Sequence, residues 1–254
     1  MSDDRDLLAF RQSYYALLVS LFWKEPAKDV LLSLSDGIKE RTEAARNLHP
    51  LLAQGWEEVK RFLVATSSEQ LAVTVADEYT RLFIGPYGTE INPYESFYLT
   101  GNLFDRPLAE LRTFLKAVGI EKEAGYAEPE DFLAFELEVM RWLISKQIAA
   151  TEPDEGQRWL RLQLDFLKEH LLVWAPACAE EIEKAKNADF YRGGAMILRG
   201  FMEVERIICR EWGLDKVVSL DEVRQRWRAI PAWKGPTFDF TIEEAKGPFP
   251  PRQK

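Results

Sequence analysis

Apolar residues recur every three or four positions through most of the chain, and this spacing restricts the fold more than any other feature of the sequence. Leu7, Phe10, Tyr14, Leu17, Leu18 and Leu21 fall on one face of a helix running from about Asp6 to Trp23, which must end before Pro26. Helical spacing returns at roughly 27–46, 51–65, 68–83, 106–118, 128–150, 155–172, 175–186, 189–212 and 220–228. Local punctuation agrees with it. Ser67 or Ser68 can cap the fourth of these helices, Asp105 and Pro107 suit the start of the fifth, and Gly119 suits its end. Gly193 and Gly194 lie early in the helix at 189–212 and weaken it by about 1 kcal/mol each, so close helix packing is the expected compensation.

The pattern predicts an all-α chain: one helical bundle of roughly ten helices over residues 1–229, followed by an extended Pro-rich tail over 230–254. The tail holds Pro231, Pro236, Pro248, Pro250 and Pro251, and Phe238, Phe240 and Ile242 alternate there with polar residues. That suits a short strand or an extended peptide lying in a groove.

Charge and composition exclude several classes of function. The formal net charge of -9 repels phosphate backbones, so nucleic acid is not an expected partner. Cys178 and Cys209 lack CxxC spacing and read as small core residues in a reducing compartment. The N-terminus is acidic, and no apolar run approaches the roughly 20 residues that span a bilayer. The expected location is the cytoplasm, without stable membrane insertion, as a monomer or homodimer. Neither His49 nor His170 has a glutamate three residues before it, and there is no zinc cluster, phosphate loop, dinucleotide fingerprint or nucleophile elbow. His170 reads as a packed structural histidine. No cofactor and no catalysis are expected.

Two segments stand apart. Residues 84–103 carry three glycines, two prolines and a concentration of Tyr and Phe, which predicts a long aromatic loop. Such a loop is either functional or pinned onto the core by its own rings. The helix at 128–150 opens with Glu128, Glu130, Asp131, Glu136 and Glu138 and no basic residue among them. Acids suit a helix N-terminus through its dipole. Glu136 falls near Met140 on the helical wheel, so it should be partly buried and paired with a cation such as Arg81 or Arg141. Asp131 falls on the opposite side, freer to serve an external ligand.

Three stretches taken together resemble the TorD/DmsD/NarJ family of molybdoenzyme chaperones. They are Glu78-Tyr-Thr-Arg-Leu-Phe-Ile-Gly-Pro86, Asn92-Pro-Tyr-Glu-Ser-Phe-Tyr98 and Glu128-Pro-Glu-Asp-Phe-Leu133, in the family's order and spacing. The helical pattern around them matches over roughly residues 5–215. The resemblance implies an all-helical protein that binds the twin-arginine signal peptide and apo form of a molybdopterin-dependent catalytic subunit, assists cofactor insertion and delays export. It implies that Asp131, with Glu128 or Glu95, meets the arginines, and that Tyr87, Tyr94, Phe97 and Tyr98 line the peptide groove. Gly85, Pro86 and Pro93 would fix the loop. Where the family often has His after the motif Asp, this chain has Phe132, whose apolar contact would take its place. A helical adaptor for a folded partner is the alternative reading.

Overall fold

The structure, a computed structural model, describes residues 2–85, 89–214 and 216–230. Pro86 and Tyr87 therefore lie outside the described residues, as does the tail from Pro231 onward. The described residues are helical and surround one continuous apolar core.

Helix α1 (Ser2–Phe22) lies along α8 (Leu133–Ala149) and buries Tyr15, Leu18, Leu21 and Phe22. The single helix expected at 27–46 is two, α2 (Lys28–Asp36) and α3 (Ile38–Arg46), broken at Gly37. Next comes α4 (Pro50–Ala65), which starts with Pro in its first turn and with His49 Nδ1 accepting from the Leu51 amide. Helix α5 (Leu71–Tyr79) continues into a π-helical turn, 80–84, that Gly85 ends with a φ of +42°. The predicted loop at 84–103 contains a short helix, α6 (Glu95–Thr100), closed by Gly101 in the left-handed region. Its sequence is free of Gly and Pro, but six residues cannot sustain a helix alone. What supports it belongs to the functional site below.

Helix α7 (Arg106–Val118) starts and stops where its cap residues indicate: the Asp105 side chain accepts from the Arg106 amide, and Gly119 takes a φ of +79°. The helices expected at 155–172 and 175–186 form one rod: α9 (Pro153–Phe166), a π-helical turn at 167–171 and α10 (Leu172–Lys184). After it come α11 (Phe190–Glu211) and α12 (Leu220–Ala229), the latter opened by a capping box between Ser219 and Glu222.

The tightest packing in the fold joins α4 to α11. A Cβ on Gly193 would lie 2.7 Å from Val59, one on Gly200 2.4 Å from the Leu52 backbone nitrogen, and one on Gly55 2.6 Å from the Ile197 nitrogen. The glycines let the two backbones meet. Gly194, the other half of the pair, has no neighbour closer than 3.8 Å and does not serve that contact.

A charged network is sealed within the core. Arg11 donates to both carboxylate oxygens of Glu205 and to Gln163 Oε1, each at 2.7 Å, and Tyr15 donates to the same carboxylate. All four residues are fully buried, so each partner satisfies a charge or dipole that water cannot reach.

Candidate functional site

The second and third motifs are laced together by their backbones. Tyr94 and Phe132 form an isolated antiparallel bridge. The Leu133 amide donates to the Pro93 carbonyl at 2.9 Å, and the Glu95 amide to the Asp131 carbonyl at 2.9 Å. The Asp131 carboxylate then accepts from the Ser96 amide at 3.0 Å. Asp131 thus closes the N-terminus of α6 from a different part of the chain, and this cap across the chain is what holds so short a helix.

This corrects the expected helix start at 128. Helix α8 begins only at Leu133, because Pro129 biases Glu128 away from helical dihedrals and residues 131–133 pair with 93–95 instead. Asp131 is fully buried and does not face an external ligand. Burial raises its carboxyl above the usual range, opposed by the hydrogen bonds at Ser96.

The first motif is held in the same way. The Glu78 carboxylate accepts from the amides of Asp189, Phe190 and Tyr191 at 2.8–3.1 Å, closing the N-terminus of α11. Arg81 donates to the Asn187 carbonyl at 2.5 Å, and the Ile91 amide returns to the Leu82 carbonyl at 2.9 Å. Gly85 is half-buried at the end of that turn.

Beneath the laced segments lies a buried layer of carboxyls. Glu95 is fully enclosed, and His170 Nδ1 sits 3.0 and 3.1 Å from its two oxygens. Burial disfavours the imidazolium, but the Glu95 charge outweighs it and holds His170 above its ordinary value. Glu95 is raised in turn, by burial first, so it belongs to the scaffold and not to a surface that meets arginine. Glu136 is fully buried, as the helical wheel requires, but neither expected cation reaches it. Arg141 pairs with Glu138, Arg81 bonds Asn187, and Glu136 accepts instead from the Trp174 indole at 3.0 Å. A single indole N–H cannot offset the desolvation of a carboxylate. Burial, reinforced by the Glu95 charge, therefore pushes Glu136 well up, towards the neutral acid.

Tyr98 is likewise built in. Its ring packs on Trp174 with centroids 5.4 Å apart, and its hydroxyl bonds Glu181 on α10. Pro93 and Phe132 are buried, with Phe132 against the Tyr94 ring at 5.6 Å. Of the residues expected to touch a ligand, Tyr94, Phe97 and Glu128 remain partly open to solvent.

Glu128 is the chemical centre of that open rim. Tyr94 Oη donates to its carboxylate at 2.7 Å. Its charge also acts on Tyr79 and Tyr126, and together with burial raises all three phenols. Trp23 stacks on Tyr126 at 4.6 Å, and Phe135 packs beside both, 5.9 Å from the Tyr126 ring and 6.4 Å from Trp23. The Tyr126 hydroxyl is buried without a hydrogen-bond partner among the described residues. Lys122 meets the backbone carbonyl of Glu128 at 3.1 Å, but among the described residues no cation pairs with the Glu128 carboxylate. The rim thus presents one carboxylate set among aromatic faces, a surroundings that suits a planar cation.

Trp23, Tyr79, Tyr126 and Phe135 are the site residues that sequence reasoning missed. Trp23, Tyr79 and Phe135 look like ordinary helix residues until the fold gathers them. Tyr126 did carry a signal, as an aromatic in the Gly125-containing linker just before the Glu128 motif.

The described residues include no group of three or more His, Cys, Asp or Glu able to hold a metal ion, and no helix long and apolar enough to cross a membrane. Residues 46–180, more than half of the chain, match the family described as nitrate reductase delta subunit. Over 218 residues the chain is 27% identical to the probable Tat proofreading chaperone DmsD of Haemophilus influenzae, covering 83% of this chain and 94% of that protein. It is 28% identical over 204 residues to the chaperone protein TorD of Vibrio cholerae, covering 77% and 90%. With TorD of Photobacterium profundum it shares 25% over 176 residues, covering 68% and 76%. The chain belongs to the nitrate reductase delta subunit family, the molybdoenzyme chaperones that include TorD and DmsD, and is a redox-enzyme chaperone and not an enzyme.

Proposed function

We propose that the protein binds the twin-arginine signal peptide of a molybdoenzyme catalytic subunit at the Glu128 rim, and holds the apo-subunit back from export while its molybdopterin cofactor is inserted. The observation that carries this is the Glu128 carboxylate: oriented by Tyr94, bordered by Tyr126 and Trp23, and without a cationic partner among the described residues. A guanidinium pairs with a carboxylate through parallel hydrogen bonds and stacks on aromatic faces, and the rim offers both. Phe97 and Tyr94 supply apolar surface for the residues that follow the arginines. Glu95, Asp131, Phe132 and Tyr98 act one layer below, by fixing α6 and the Tyr94 backbone.

The test is calorimetric titration of the purified chain with twin-arginine leader peptides, at two salt concentrations. Binding is expected to be saturable and to weaken with salt. Glu128→Gln should lower affinity by about tenfold, as loss of a charge-assisted pair does, while leaving thermal stability unchanged. Asp131→Ala should weaken binding only in step with a loss of fold stability of about 1 kcal/mol, the usual cost of a lost helix cap. Full affinity in the Glu128 variant would remove the rim as the site, and no binding to any leader would overturn the leader reading.

A further inference from the structure

A second depression, away from the Glu128 rim, encloses about 670 Å³ between the turn after α6, the start of α7 and the end of α12. Phe104, Arg106, Trp227, Arg228 and Ile230 line it. We infer that this groove is the seat of the chain's own C-terminal segment, with Trp233, Phe238, Phe240 and Ile242 laid against Phe104, Trp227 and Ile230. The inference does not depend on which ligand the Glu128 rim takes.

The first argument is the state of Phe104. Its ring is 70% exposed, and its φ of +58° lies in the left-handed region, unfavourable for a bulky aromatic. Leu103 beside it is 41% exposed and Ile230 across the groove 46%. A strained backbone that turns an aromatic ring outward, towards other exposed apolar residues, is consistent with a ring that is covered by something.

The second argument is where the described chain ends. Arg106 donates to the carbonyls of Trp227 at 3.3 Å and of Ile230 at 3.4 Å, and its guanidinium lies over the Trp227 ring, 5.3 Å from the centroid. The last described residue is therefore fixed within the groove. Residues 231–254 continue from that point. Ten extended residues reach about 33 Å, so the segment as far as Phe240 can cover the groove without strain.

Composition gives the third argument. Pro231 and Pro236 favour an extended chain and reduce the entropy lost on docking. Four large apolar residues follow within a dozen positions, enough for a groove of this size. Asp239, Glu243 and Glu244 in this segment carry charge opposite to that of Arg106 and Arg228, which line the groove.

Hydrogen exchange on the full chain tests the inference. Amides at 99–109 would be followed in the parent, in Phe238→Ser/Phe240→Ser, in Phe104→Ser and in all three changes combined. The dilution series would run beside light scattering. The expected result is exchange about tenfold faster in the tail variant, the same acceleration in Phe104→Ser, and no further gain in the combination. All variants should melt with the parent's cooperativity, because Phe104 lies outside the apolar core. Three results would overturn the inference: exchange indifferent to the tail substitutions, accelerations that add, or protection that grows with concentration as dimers appear. The last would assign the groove to the tail of a second copy.

Discussion

Glu128 and Asp131 are three residues apart, both acidic and both in one short motif, yet they have different work. Asp131 is spent on a backbone amide of α6, whereas Glu128 keeps its carboxylate at the surface. On a helical wheel Asp131 falls opposite Glu136 and looks free to meet a ligand. The wheel misled because its premise, a helix beginning at 128, is false there, and the true partner of Asp131 lies 35 positions upstream. Glu136 was legible in its burial, since the helix does hold at that position, but not in its partner, an indole on α10.

The Glu136 carboxyl carries a pH dependence of definite sign. Its value in the folded protein is raised well above the ordinary 4.5, so the native state keeps a proton that the unfolded chain releases. The contribution is whole below about pH 4.5 and is lost as pH rises through the folded value, at about 1.4 kcal/mol per pH unit for one proton. His170, also raised above its ordinary 6.5, acts in the same direction at higher pH. Glu136→Gln keeps the volume and an acceptor for Trp174 while removing the titration. Urea midpoints from about pH 5 to pH 8 should decline in the parent and decline less in the variant, which should be the more stable of the two near pH 8. Parallel curves would mean that Glu136 is ionised in the fold.

At the scale of the element, legibility follows how local the determinants are. Helix α7 is bounded by Asp105, Pro107 and Gly119, all adjacent to it, and these mark its ends in the sequence. Helix α6 is held by Asp131 and was unreadable. The α9–α10 rod shows the same division. Pro176 lies inside α10 and withholds the amide that would bond the Leu172 carbonyl, a natural place to expect a break. The helix persists because Arg206 of α11 donates to that carbonyl at 2.9 Å. Arg206→Met should destabilise the protein by about 1–3 kcal/mol, since it leaves a carbonyl unsatisfied. Adding Pro176→Ala restores the helical amide and should recover most of the loss. Chemical denaturation of both single variants and the double variant measures the coupling, and simple additivity would exclude this account.

Over the whole molecule, the three motifs do one kind of job. Glu78 closes α11, Asp131 closes α6, and the Pro93–Leu133 pairing joins two stretches that are distant in sequence, so residues that look like a ligand-binding signature chiefly build the platform beneath it. All-helical class and the order of helices were legible because apolar spacing is a property of each segment alone. Which helices meet was not, apart from the hint in the glycines. That hint can be tested with two substitutions six positions apart on α11. Gly200→Ala would put a methyl 2.4 Å from the Leu52 nitrogen, where no side-chain rotation relieves it, and α4 must move away from α11. The expected cost is about 1–3 kcal/mol, the range for an overpacked core, and more if α4 cannot shift. Gly194→Ala meets only the tips of Phe22 and Leu21 at 3.8–3.9 Å, and should stabilise by up to about 1 kcal/mol through helix propensity. Thermal melts of the two variants should therefore move in opposite directions. Equal shifts would mean that the α4–α11 contact is no closer than an ordinary helix pair.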